Sequence, residues 1–234
     1  MKCTICNTEI RGRYWVDPWQ QTICASHKVE HCSSCGRFVK PSDLHLPDGR
    51  CLCASCHSSV VRLPQHIEWV EKRVRSILAS CGVADIPQVP VRLVTPAEMA
   101  KLNRAGTINL FQPGLTLTAQ TMGLFFSRSN HTVYIFDYLP KIQFAGVLAH
   151  ELLHVWQNEK GISLPPLYVE GFCNVGSYVV YKAIGRELAH HFIRQMEVSP
   201  DPVYGDGFRK VVEMYRNVGE DLVSTMNYIK RTIR

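Results

Sequence analysis

Past Pro64 the apolar positions fall into helical step. Ile67, Val70, Val74, Ile77 and Leu78 share one face, with Glu68, Glu71, Lys72, Arg73 and Arg75 between them and Gly82 as a stop. That spacing predicts an amphipathic helix over residues 65–80 with a solvated charged side. Residues 89–94, Val-Pro-Val-Arg-Leu-Val, read as a strand, and the early proline suits a sheet edge. Thr95-Pro96-Ala97-Glu98 is a capping box with proline at the first helical position, opening a helix to about residue 105. Residues 106–130 are rich in Gly, Thr, Ser and Asn, with short strands expected at 115–119 and 123–127. Residues 131–137, His-Thr-Val-Tyr-Ile-Phe-Asp, alternate as a half-buried strand does.

Helices follow. One is expected over residues 141–160, stopped by Gly161, and the next opens at Pro165-Pro166 and runs to Gly185. Two more are expected at about 186–196 and 206–230. Strands first and then a block of helices indicate an α+β domain over residues 61–234.

Residues 1–60 show neither period and hold eight of the ten cysteines. Cys3-x-x-Cys6 is followed by Cys24-x-x-His27, and Cys32-x-x-Cys35 by Cys53-x-x-Cys56, each after 17 residues. Cys24-Ala-Ser-His27 and Cys53-Ala-Ser-Cys56 read alike at an offset of 29. A two-residue gap lets a tight turn aim two side chains at one ion, and two such turns complete the tetrahedron of structural zinc. Segments this short cannot bury an adequate core, so metal supplies much of their folding free energy. His31, Cys51 and His57 are alternatives to His27, Cys53 and Cys56, and the chosen set keeps both gaps equal. Cys51, Cys81 and Cys173 are then packing thiols.

Composition narrows the setting. Apolar residues make up 46% of the 234, enough for a sizeable core, and the net charge of +6 comes from dispersed basic residues. Residues 1–60 carry seven Lys or Arg against five Asp or Glu, and seven zinc-bound thiolates would cancel that excess, so nucleic acid is not an expected partner. There is no run of 18 apolar residues and no signal peptide, which gives a cytoplasmic expectation without membrane contact.

The chemistry concentrates in His150-Glu151-Leu152-Leu153-His154, inside the helix expected at 141–160. Residues i and i+4 share a face, so both imidazoles reach one ion, while Glu151 projects beside it toward water. Two histidines around a glutamate, flanked by Phe144, Leu148, Val155 and Trp156, are costly to bury without a purpose. A catalytic zinc takes a third protein ligand and keeps a fourth position open. Glu159 lies five residues past His154 and points elsewhere. Glu170 follows the turn at 161–166 that folds the next helix back, and it is the third ligand expected. Asn174, one turn on, is placed to accept a hydrogen bond from a ligand imidazole.

The double zinc module resembles a LIM domain, with the order of the second pair reversed as Cys24 then His27 and a longer spacer to Cys32. Leu139-Pro140, Gly146, Leu148-Ala149-His150-Glu151-x-x-His154-x-Trp156, Lys160-Gly161, Val169-Glu170-Gly171-x-Cys173 and Gly114-Leu115-x-Leu117 resemble one peptidase family. These are the LIM-domain peptidases first known as ubiquitin-activated limiters of organ size in plants. The resemblance implies a LIM-like module followed by a zincin-like peptidase of the glutamate-liganded type, cleaving protein substrates. Carried over, the ligands are His150, His154 and Glu170, and Glu151 is the general base. Plant members carry ubiquitin-interacting helices before the LIM domain, and here Cys3 is almost the first residue, so ubiquitin dependence is not implied. Three zinc ions are expected, two structural and one catalytic, with a protein partner for the LIM-like module. A LIM-like adaptor fused to an inactive zincin is the alternative, and it would have no need of Glu151.

Overall fold

The computed structural model describes residues 1–103, 113–122 and 127–233. Contacts divide the chain into one compact unit of Met1–Val60 with Tyr138–Pro140, and another of Val61–Asp137 with Lys141–Arg234.

The 29-residue offset in the sequence of the first unit is an offset in structure. The amide of Cys3 donates to the carbonyl of Thr8 (2.9 Å) and that of Cys32 to Arg37 (2.7 Å). Asn7 N–H closes on Cys3 O and Gly36 N–H on Cys32 O, each at 2.9 Å. Asn7 and Gly36 both take positive φ, 59° and 74°, as this tight turn around a CxxC pair requires. Each turn docks on a small hairpin. The first is β1 (Tyr14–Val16) with β2 (Thr22–Cys24), the second β3 (Leu44–His45) with β4 (Cys51–Leu52). A short helix α1 (Ala54–His57) ends the second copy.

Asp17 joins the two copies. Its buried carboxylate accepts from the amides of Trp19 (2.8 Å) and Gln21 (2.9 Å) in the first copy and of Phe38 (3.0 Å) in the second. Trp19 Nε1 donates to Cys35 O at 2.7 Å, and the Arg37 guanidinium lies 3.9 Å over its ring. A carboxylate here satisfies three amides that would otherwise be stranded away from water.

The second unit opens with α2 (Pro64–Ser80), which buries Val70, Val74 and Leu78 as the periodicity predicts. β5 (Val91–Val94) lies at one edge of a three-stranded sheet of order β5-β7-β6, consistent with Pro90 just before it. The capping box forms as expected: Thr95 accepts from Glu98 N–H and Glu98 accepts from Thr95 N–H, at the head of α3 (Pro96–Leu102). The expected extension to residue 105 and much of the strand expected at 123–127 fall outside the described residues. The short strand expected at 115–119 is part of a longer one, β6 (Gly114–Met122), antiparallel to β7 (Ser127–Phe136). Their outer parts are runs of Thr, Gln, Ser and Asn that carry no hydrophobic alternation, so periodicity undercounts them.

α4 (Lys141–Glu159) is buried on nearly every side, as a central helix should be, and Gly161 (φ 58°) follows it. α5 (Pro166–Ile184) folds back along it and ends at Gly185 in the left-handed conformation. The two helices come close because small residues face the seam: Ser177 Oγ donates to Gly146 O at 2.8 Å, and a Cβ on Gly176 would sit 2.4 Å from Leu153 Cδ1. α6 (Glu187–Val198) and α7 (Tyr204–Asn217) pack on α5. The single helix expected over 206–230 is instead two. Gly219 and Glu220 take positive φ, and Asp221 caps α8 (Leu222–Thr232) by accepting from Ser224 N–H at 2.7 Å. That Gly followed two residues later by Asp is a stop and a restart. Among the described residues no helix is long and apolar enough to cross a membrane.

Asp17→Ala should destabilise the first unit by about 2–4 kcal/mol, since the buried Phe38 amide and the half-buried amides of Trp19 and Gln21 lose their acceptor at roughly 1–3 kcal/mol each, partly recovered by water. Hydrogen exchange should quicken at Trp19, Gln21 and Phe38. Unchanged protection at Phe38 would mean that Asp17 does not join the copies.

Candidate metal centres and cleft

Three groups of metal-ligating side chains converge among the described residues. Cys3, Cys6, Cys24 and His27 form the first, and Cys32, Cys35, Cys53 and Cys56 the second, the donor atoms of each within 4.8 Å of one another. Zinc–sulfur bonds of about 2.3 Å at tetrahedral angles set sulfurs about 3.8 Å apart. Cys6 Sγ and Cys24 Sγ stand 3.9 Å apart, and Cys35 Sγ and Cys53 Sγ 3.7 Å. His27 Nε2 is buried without a hydrogen-bond partner, which an ion among these thiols would satisfy. The alternatives face elsewhere: His31 Nδ1 meets Gly36 O at 3.0 Å, Cys51 Sγ faces Gly49 O, and His57 is exposed. The cysteine-rich clusters fit zinc, as in a LIM-like module.

The third group, His150, His154 and Cys173, sits between α4 and α5, and Glu170 adjoins it. His150 Nε2 and His154 Nε2 lie 3.0 Å apart, and Glu170 Oε2 is 3.1 Å from the first and 3.3 Å from the second. Ligand atoms on a tetrahedral ion with bonds of 2.0–2.1 Å are about 3.3 Å apart. Glu170 Oε2 is buried with no partner in hydrogen-bond geometry, an orphan that a cation would satisfy. Burial alone would raise the Glu170 pKa, but the two imidazoles outweigh it and hold the carboxyl at about 2. The group remains anionic and awaits positive charge.

The surrounding shell orients these side chains. Asn174 Oδ1 accepts from His150 Nδ1 at 3.0 Å, the bond expected from its position, which leaves Nε2 to face inward. Asn174 Nδ2 is tied in turn to Tyr204 O at 3.0 Å. Cys173 is more than the spare packing thiol that spacing suggests. It is wholly buried, its Sγ lies within 4.8 Å of the nitrogens of His150 and His154, and it donates to Gln157 Oε1 at 3.4 Å. Burial pushes its pKa up to about 11, so it stays a neutral thiol. Glu170 Oε2 pairs with both imidazoles, at 3.1 and 3.3 Å, so the Glu170 carboxylate and the Cys173 thiol both stand within reach of one ion there. Glu159, as expected, points away and meets His131 Nε2 at 2.7 Å.

Glu151 is buried and anchored from the sheet. Its Oε2 accepts from Thr116 Oγ1 at 2.8 Å, and a Cβ on Gly114 would fall 2.4 Å from its Oε1. Only glycine lets β6 approach the carboxylate so closely. Thr116 carries no motif and was missed in the sequence; the near-alternation of threonine along residues 116–121 was the available signal. A cleft of about 690 Å³ opens here, with His150, Glu151, Gly114 and Tyr204 in its wall.

Comparison with known proteins adds similarity over nearly the whole chain. It is 26% identical over 279 aligned residues to Protein DA1 of Arabidopsis thaliana, covering 89% of this chain and 52% of that protein. It is 25% identical to Protein DA1-related 1 of the same plant over 99% of this chain and 54% of the relative. The LIM domain-containing protein HDR3 of Oryza sativa subsp. japonica is 22% identical, over 92% and 56%. The chain spans about half the length of these curated relatives. No family model matches it, and no solved structure does.

Cys53→Ser should cost about one equivalent of zinc, whereas Cys51→Ser should leave the content unchanged, since only Cys53 converges with Cys32, Cys35 and Cys56. Metal analysis of the two purified variants checks this. The reverse result would put Cys51 in the site.

Proposed function

We propose that this chain is a zinc-dependent endopeptidase whose residues 61–234 form a glutamate-liganded zincin and whose residues 1–60 are a LIM-like module for a protein partner. The carrying observation is the convergence of His150, His154 and Glu170 on one point, with a second carboxylate, the buried Glu151, beside it and not within it. The similarity to the DA1 proteins and to a LIM domain-containing relative accords with the motifs that carry the resemblance in the sequence.

His150, His154 and Glu170 would hold a zinc ion, and the two N-terminal clusters two more. When bound, the catalytic ion supplies Lewis acidity, lowering the pKa of a water and polarising the substrate carbonyl. The residues do the rest. Glu151 is held by Thr116 on one oxygen and shielded by Gly114 at the other, so its carboxylate has a fixed direction in which to take a proton from the attacking water. It then gives that proton to the leaving amine. Asn174 fixes His150 in the tautomer whose Nε2 faces the ion.

Among the tyrosines and histidines that could steady the developing oxyanion, Tyr204 has the best position. Its ring stacks 6.4 Å from that of His150 and it lines the cleft. Burial first, then the Glu170 and Glu151 charges, push its pKa up, so the phenol keeps its proton and can donate. The others are engaged elsewhere: Tyr178 accepts from Arg216, Tyr181 packs on Gly146, and His191 pairs with Gln195. β7 is the middle strand and has both edges paired, so it offers none to a peptide. β6 is the edge strand that meets α4 at Glu151, and its start at Gly114 is where an extended peptide would align.

Two carboxylates in one site should fail differently. Glu151→Gln should keep zinc and fold while losing 10²–10⁴-fold in turnover, roughly the worth of a general base. Glu170→Gln should lose zinc affinity together with activity, because a neutral amide is a poorer ligand. Zinc content and cleavage of an unfolded protein substrate, measured on both variants, separate the roles. Full cleavage by Glu151→Gln would leave only the adaptor reading.

Tyr204→Phe should retain zinc and substrate affinity while kcat falls by about 10²–10³-fold, the range for one oxyanion donor. A change confined to KM would instead make Tyr204 a substrate contact.

A further inference from the structure

Glu170 and Cys173 stand three residues apart on α5, and so share one face of it, as His150 and His154 share one face of α4. The four side chains meet between the two helices. One donor atom each of His150, His154 and Cys173 lies within 4.8 Å of the other two. Glu170 Oε2 lies 3.1 Å from His150 Nε2 and 3.3 Å from His154 Nε2. One pair of histidines therefore has two neighbours able to complete a metal site. A carboxylate oxygen is a hard ligand, and a thiolate sulfur is a soft one.

The two neighbours also differ in setting. The Glu170 side chain keeps 20% of its surface exposed, whereas Cys173 is wholly buried. Cys173 Sγ donates to Gln157 Oε1 at 3.4 Å, and Gln157 Nε2 donates in turn to Val169 O at 3.4 Å. The thiol is thus held toward the histidine pair from the interior side of the helices. Tetrahedral zinc sets a sulfur and an imidazole nitrogen about 3.6 Å apart, and an oxygen and a nitrogen about 3.3 Å apart. The carboxylate already stands at the zinc spacing. The looser set that includes sulfur suits a larger, softer ion with longer bonds.

We propose that His150, His154 and Cys173 form a second donor set at this centre, which captures a thiophilic cation such as Cd2+ while zinc keeps Glu170. Capture forms one metal–sulfur bond. The Cys173 S–H proton passes to solvent, its hydrogen bond to Gln157 Oε1 is lost, and no electron is transferred. Both sets use the same two histidines, so the ions exclude each other, and a thiophilic ion silences the centre by displacing its zinc. The inference rests on the reading of this centre as a zinc site, and its test reads metal binding rather than turnover so that the two can fail separately.

The experiment uses the whole chain and the metals alone. Loaded with an NMR-active cadmium isotope, the protein should give two far-downfield resonances from the thiolate-rich N-terminal clusters and a third at intermediate shift, carrying one sulfur. Cys173→Ser keeps a donor for Gln157 and should move only the third resonance upfield, the other two reporting an intact first unit. Competition between zinc and cadmium at the third centre, followed with a metal indicator, separates a ligand from an orienting neighbour. Loss of a neighbour that only orients His154 would weaken both ions alike, by roughly 10–100-fold. Loss of a soft ligand should weaken cadmium alone, so that the cadmium-to-zinc affinity ratio falls by roughly tenfold or more. Glu170→Gln should do the opposite, losing zinc and keeping cadmium with its third resonance in place. A third resonance that Cys173→Ser leaves unmoved, or an unchanged affinity ratio, would overturn the second donor set while the zinc centre stood. Zinc lost in Cys173→Ser but kept in Glu170→Gln would overturn the division of ligands between the two ions. A third centre that takes neither metal would overturn both readings.

Discussion

One electrostatic constraint lies at the centre of the second unit: His150 Nε2, His154 Nε2 and Glu170 Oε2 are held 3.0–3.3 Å apart in partial burial. The two imidazoles offset the burial of that carboxylate. Keeping the donors together requires α4 and α5 to run close and in fixed register. Gly146, Gly176 and Ser177 provide that closeness, and the Trp156–Phe172 stack at 5.8 Å fixes the register at the other end. The long apolar faces of both helices therefore serve the ligands as much as the fold.

The sheet meets this helix pair through Glu151. Thr116 holds Oε2 of this buried carboxylate from β6 and so fixes its direction. Gly114 and Thr116 thus bring an edge strand, the Glu151 carboxylate and the cleft together. Gly114 has its own reason: a side chain there would collide with the carboxylate and with Val147. The same closeness that positions the base also bounds the cleft beside it.

The first unit solves a different problem. Its two copies of a turn and a hairpin are each too small to bury a core, and the buried cysteines stand where apolar side chains would otherwise be needed. Asp17 and Trp19, from the first copy, supply the contacts that make two modules one unit. Neither residue belongs to the repeat that defines the zinc ligands.

The sequence by itself brought the candidate donors into view, because the spacing of short motifs is a local property. CxxC pairs, HExxH on one helix face, the capping box at Thr95 and the proline and glycine punctuation of α4 and α5 all act within a turn or two. The tertiary structure alone decided what depends on contacts between distant segments. β6 took the edge and β7 the centre because pairing is chosen between strands, and alternation within one strand cannot report its neighbours. Thr116, 35 residues from Glu151, and Cys173, beside His154 across a helix seam, belong to the site only once the chain has closed. The part of the cleft lined by Val147, Tyr181, Phe192 and Met196 is of the same kind: four apolar residues on three helices, each legible as core, form a wall only where those helices leave space between them.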